Sequence, residues 1–82
     1  MYKTFIGLRD EHREHILVSC AEIEQEDATF KWRLQKPYGA LRNQYDWILV
    51  VESKDKDKAY RRGTWLIHNL GVEGLLYWVK GV

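Results

Sequence analysis

Residues 45–52 read YDWILVVE, and from Trp47 to Val51 every side chain is apolar. Successive side chains of a strand point to opposite faces, so an unbroken apolar run is hydrophobic on both sides and belongs in the middle of a sheet. A chain built around such a strand needs further strands beside it and apolar cover for its faces. Only 82 residues are on hand to supply them. That is room for one core, and residues 1–82 read as a single compact α+β domain.

Two more strands follow from pattern. Residues 2–8 alternate and carry the β-favouring Tyr2, Thr4, Phe5 and Ile6. Residues 75–80 (LLYWVK) set Leu75, Tyr77 and Val79 on one side and Leu76 and Trp78 on the other. Before that last strand runs the clearest helix, over residues 54–70. Ser53 or Asp55 can cap it, Asp55 and Asp57 suit its positive pole, and Asp57 can pair with Arg61 one turn on. Gly71 is placed to close it.

On this helix Ala59, Gly63, Leu66, Ile67 and Leu70 form one stripe, with Tyr60 at its margin. Gly63 in that stripe implies a close approach to the sheet. The opposite arc carries Lys58, Arg61, Trp65, His68 and Asn69, with Arg62 at its edge. A tryptophan among cations on a solvent face either packs beneath Arg61 or a neighbouring loop, with a cation–π contribution, or contacts a partner.

Residues 16–24 admit two structures. As a helix they gather Ile16, Leu17, Cys20, Ala21 and Ile23 on one face. Against this, Glu22, Glu24, Glu26 and Asp27 would crowd the negative pole, with no glycine to end the helix. As a strand paired antiparallel with residues 29–36, the segment sets Ile23 against Phe30, Ala21 against Trp32 and Ser19 against Leu34, with Glu22 opposite Lys31 on the other side. The hairpin explains more. The expected architecture is therefore an antiparallel sheet in the order ββββαβ, a four-stranded meander followed by one helix and a final strand. A helical 16–24 instead gives βαββαβ, a resemblance to the ferredoxin-like layout that carries no activity with it. Pro37-Tyr38-Gly39 breaks the pattern and opens a loop that runs to Gln44.

A single helix covers one face of a sheet, yet two strands here are apolar on both. The spare face is closed by curvature of the sheet, by a second copy of the chain in a homodimer, or by a partner. Trp78 lies on one such face and joins the candidate contact residues.

The chemistry of catalysis is sparse. The run Arg9-Asp10-Glu11-His12-Arg13-Glu14-His15 reads as a charged connection. His12 and His15 could share a metal if the run made a helical turn, with Asp10 or Glu14 as third ligand, but neither H-E-x-x-H nor H-x-x-E-H is present. Cys20 with His68 lacks a third orienting group, and Cys20 reads as a small buried residue. No phosphate-binding glycine loop occurs, so no cofactor is expected. A net charge of +1 argues against a generic phosphate binder but not against a local basic face. Lys31, Arg33 and Lys36 alternate with Phe30, Trp32 and Leu34, which puts base and ring on opposite faces and weakens a base-stacking platform.

One cysteine rules out an internal disulfide, and the first residues lack the long apolar run of a signal peptide. No segment matches a membrane span. A complete, tailless cytoplasmic protein is the expectation. The expected function is non-enzymatic: docking on a partner macromolecule, foremost a protein, through Lys58, Arg61, Arg62, Trp65, His68 and Trp78. Short, motif-free chains of this format resemble phage or mobile-element inhibitors of host systems, of the anti-CRISPR or anti-restriction type. The alternatives are a nucleic-acid-binding protein using the basic helix face around Trp65, and a small metal-dependent enzyme using residues 10–15.

Overall fold

The computed structural model describes residues 1–37 and 45–81. The loop expected after Pro37 falls largely outside these. The described residues form a four-stranded antiparallel sheet and two helices, in the order β1 (Tyr2–Leu8), α1 (Asp10–Glu26), β2 (Arg33–Leu34), β3 (Asp46–Ser53), α2 (Lys56–Leu70) and β4 (Leu76–Gly81). The sheet runs β2-β3-β1-β4. Among the described residues it is an open sheet with β2 and β4 at its edges.

The expected order ββββαβ is corrected to βαββαβ. Residues 16–24, read as a strand, lie inside α1, and so does most of the run 9–15, read as a connection. Packing explains the outcome. Ile16 and Cys20 are fully buried in the main core, and Leu17 and Ile23 pack against it. Each large side chain buried in this way stabilises the helix by about 1.5–3 kcal/mol. The unfavourable acidic residues near its end cost less, about 0.3–1 kcal/mol each at an exposed site. Two of them also have non-local partners: Glu24 accepts a hydrogen bond from Trp32 Nε1 at 2.8 Å, and Asp27 pairs with Arg62 at 3.2 Å. The helix ends without glycine because Asp27 turns extended and its side chain accepts the Thr29 amide at 2.9 Å. The second strand expected over residues 29–36 shrinks to the two residues of β2.

β3 is central, as its hydrophobicity requires, with β1 along one edge and β2 on part of the other. A bulge explains how both Val50 and Val51 serve one core. The β1–β3 register pairs Thr4 with Val51 but Phe5 with Leu49, so Val50 is the extra residue. Ile6, Leu8, Ile48 and Val50 then meet α1 and α2 in the main core. Thr4, the buried polar residue of this face, donates from Oγ1 to the Ala59 carbonyl at 3.0 Å.

Helix α2 matches its sequence signals. Asp55 caps it by accepting the Asp57 amide, and Gly71 closes it in the left-handed region at φ 65°. Ala59, Gly63, Leu66 and Leu70 are buried, while Tyr60 is exposed. The expected Asp57–Arg61 ion pair is replaced by a bond from Arg61 Nε to the Asp57 backbone carbonyl at 3.4 Å. Gly63 sits hard against the sheet: a Cβ there would lie 2.4 Å from Tyr77 Cε2 and 2.8 Å from Thr4 Cγ2.

Both helices pack on the same face. On the other, Phe5, Trp47 and Leu49 form a smaller buried cluster rimmed by Tyr45, Leu76 and Trp78. Trp47 and Trp78 meet edge to face at 6.2 Å, and Lys80 Nζ lies 5.3 Å from the Trp78 ring centroid. The alternation read for the last strand holds, since Tyr77 pairs with Ile6 and Val79 with Thr4, while Trp78 pairs with Phe5. No described helix is long and apolar enough to cross a membrane.

Candidate functional site

Four of the six candidate contact residues converge. Lys58, Arg61, Arg62 and Trp65 lie on successive turns of α2 and line a shallow hollow of about 740 Å³ with Thr29 and residues 51–53. The spacing is helical, with positions three and four apart on one face. What the sequence did not disclose is which residue organises them. Arg62, placed at the margin of the basic arc, is the pivot.

Its guanidinium lies 4.5 Å from the Trp65 ring centroid and 5.3 Å from that of Phe30. On its other side it donates to Asp27. Arg62 thereby joins α2 to the end of α1 and to the chain entering β2. Asp27 is held there by hydrogen bonds from the Thr29 hydroxyl and amide and by Arg62, which together lower its carboxyl below the ordinary value of 3.8. Trp65 stacks beneath Arg62 rather than Arg61 and still keeps 40% of its surface exposed. An aromatic plane fixed by a cation loses little freedom on binding, which favours its use as a contact.

Beside this hollow is a narrower cleft of about 420 Å³. Its walls are residues 29–33 and residues 49–52 of β3, with Arg62 at one end. Arg33 pairs with Glu52 across it at 2.9 Å. Lys31, Lys58 and Arg61 make no ion pair among the described residues.

The other candidates lie elsewhere. His68 is exposed on α2 beyond the hollow. Trp78 belongs to the opposite face of the sheet, against Phe5 and Trp47, and is not part of the same surface. The sequence could not separate the two because the face of a strand relative to a distant helix is set by register.

The run 10–15 does form helical turns, the condition for His12 and His15 to share a metal, but they engage different partners. His15 Nε2 is 2.9 Å from the Leu70 carbonyl, tying α1 to the end of α2. His12 lies 3.5 Å from Glu11. Among the described residues no three of His, Cys, Asp or Glu converge in a way that could hold a metal. Cys20 is buried, and burial, with a smaller contribution from Glu24, raises its thiol to about 11. A thiol raised in this way is protonated near neutral pH, and the thiolate is the nucleophilic form.

The sequence matches no protein-family model, and no curated protein resembles it significantly.

Proposed function

We propose that this protein is a non-enzymatic binding protein that docks on a partner macromolecule through the α2 face bearing Lys58, Arg61, Arg62 and Trp65. The observation that carries this is Trp65, an exposed indole stacked against Arg62 in a hollow with two cations, Lys58 and Arg61, that make no ion pair among the described residues. Trp and Arg dominate the contacts that supply most of the energy in protein interfaces. The partner is a protein in this reading, and the format of the chain fits an inhibitor encoded by a phage or mobile element. The βαββαβ order with sheet order β2-β3-β1-β4 is ferredoxin-like in our reading, a layout that hosts many functions and selects none.

The test compares affinity capture from lysate of the source cell by the wild-type chain, Trp65→Ala and the double variant Lys58→Glu/Arg61→Glu. A captured protein that is lost with both variants, while their melting temperatures stay near wild type, supports the reading. Capture that is indifferent to both variants refutes it.

The cations Lys31, Lys58 and Arg61 favour one second reading, a nucleic-acid backbone gripped beside the indole. Backbone binding releases counterions, so its affinity falls steeply with salt. Titration with mixed DNA and RNA at two salt concentrations separates the readings, since affinity that is absent or insensitive to salt excludes the second.

A further inference from the structure

β2 covers β3 over a short stretch. Its register pairs Arg33 with Leu49 and Leu34 with Ile48, and Gln35 N donates to the Trp47 carbonyl at 2.9 Å. Residues 29–32 then swing away towards Arg62, and the cleft of about 420 Å³ opens between them and β3. On the side away from β1, residues 50–53 have no strand beside them among the described residues. A strand edge without a paired neighbour is a row of donors and acceptors ready to pair with an added strand.

The charge around this edge is one-sided. Lys31, Arg33, Lys58, Arg61 and Arg62 line the cleft and the adjoining hollow, against Glu52 as the carboxylate among the described lining residues. Arg33 already holds Glu52, and Arg62 holds Asp27. Among the described residues Lys31, Lys58 and Arg61 make no ion pair and can meet an incoming chain. A strand laid along residues 50–53 directs alternate side chains to the two faces of the sheet. On the helix side it meets Arg62 and the α2 cations, and on the other face it meets Arg33.

We propose that the edge of β3 at residues 50–53 turned away from β1, which has no strand paired to it among the described residues, is a strand-addition site for an extended acidic peptide segment of a protein partner. The site rests on the docking reading above, because it takes the basic face of α2 as one wall. Backbone pairing to β3 supplies the affinity, and the cations select carboxylate side chains over basic ones. The volume of the cleft lies within the range of about 300–1,000 Å³ usual for small binding sites. Trp65, next to the cleft, covers one end of the bound segment.

The test uses fluorescein-labelled nine-residue peptides of alternating Glu and Val, and the same with Lys in place of Glu. Two further Glu–Val peptides carry N-methyl groups at odd or at even amides. The full chain should bind the Glu–Val peptide at least tenfold more tightly than the Lys–Val peptide. One methylation pattern should abolish binding and the other be tolerated, because a strand edge pairs with alternate residues of the added chain. Amide exchange at residues 50–53 should slow on binding, and Lys58→Glu/Arg61→Glu should weaken binding at least tenfold.

Equal binding of the Glu and Lys peptides overturns the proposal, and so do equal effects of the two methylation patterns or protection at residues 76–81 in place of 50–53. Tighter binding of a twenty-nucleotide oligo-dT to the same residues also overturns it, in favour of nucleic acid. The two readings fail separately. If partner capture depends on Trp65 but the Glu–Val peptide does not bind, docking stands and strand addition falls. If the peptide protects residues 50–53 but partner capture ignores Trp65, the reverse holds.

Discussion

The contact between Gly63 and the sheet is a direct probe of how α2 sits on the strands. In Gly63→Ala the new methyl would lie 2.4 Å from Tyr77 Cε2, 2.7 Å from the Tyr77 hydroxyl and 2.8 Å from Thr4 Cγ2. Ordinary carbon contacts fall at about 3.5–4.0 Å, so the Tyr77 ring or the helix must shift by about 1 Å. Thr4 gives little, being buried and bonded to the Ala59 carbonyl. Tyr77 can swing, but it then loses its hydroxyl bond to the Tyr60 carbonyl at 3.2 Å. Overpacking of this kind costs about 1–3 kcal/mol, and the lost hydrogen bond about 1 kcal/mol. Alanine recovers about 1 kcal/mol of helix propensity. The net expectation is a loss of about 2 kcal/mol, or about 8–16 °C in melting temperature for a domain of this size.

Urea unfolding followed by circular dichroism measures it. Gly71→Ala is the companion, with nothing within 4 Å of its Cβ but a φ of 65°. It should cost about 1–2 kcal/mol through backbone strain alone. Tyr77→Leu should rescue part of the Gly63→Ala loss and none of the Gly71→Ala loss. A Gly63→Ala variant as stable as wild type would refute the close packing of α2 on β1 and β4.

Trp65→Ala removes a stack on Arg62 worth about 0.5–1 kcal/mol at an exposed site, and alanine's helix propensity offsets part of this. Its melting temperature should stay within a few degrees of wild type while partner affinity falls by about 2 kcal/mol, near thirtyfold; a large drop in melting temperature would make Trp65 a structural residue instead. Asp27 has a depressed carboxyl, so the stability it confers is complete above the ordinary value of 3.8 and is lost as pH falls through the lower folded value. Urea midpoints below pH 5 should therefore decline less steeply in Asp27→Asn, and an unchanged acid limb would contradict the contacts from Thr29 and Arg62. The Cys20 thiol, raised from 9.0 to about 11, should resist a thiol reagent at pH 8 in the folded chain and react at once in denaturant. Because its folded value is raised, its linked stability is complete below pH 9.0 and is lost as pH climbs towards about 11. Rapid labelling of the folded chain would place Cys20 at the surface.

Much of the candidate site was legible before any contact was known. The helical spacing of Lys58, Arg61 and Trp65 sets them on one face whatever the rest of the chain does, and the apolar stripe opposite says which face turns outward. The role of Arg62 was not legible, because its partners Asp27 and Phe30 lie more than thirty positions earlier and reach it through the turn of the chain after α1. The cleft beside β3 was hidden for a related reason. Alternating residues 29–36 look like a full strand, and only the competition between pairing with β3 and packing Phe30 into the core reduces them to two paired residues.

Elements whose signals are local could be read directly from the residues. α2 has its cap, its stripe and its closing glycine within reach of one another, and β1, β3 and β4 declare themselves by alternation or by an apolar run. Long-range packing settles residues 16–24, where helical and strand periodicities compete and the burial of Ile16 and Cys20 outweighs the poor charge placement. It also sets the sheet order, the bulge at Val50, and the separation of Trp65 and Trp78 onto different surfaces. Local propensity extends a few residues along the chain, whereas these choices depend on contacts between residues far apart in it.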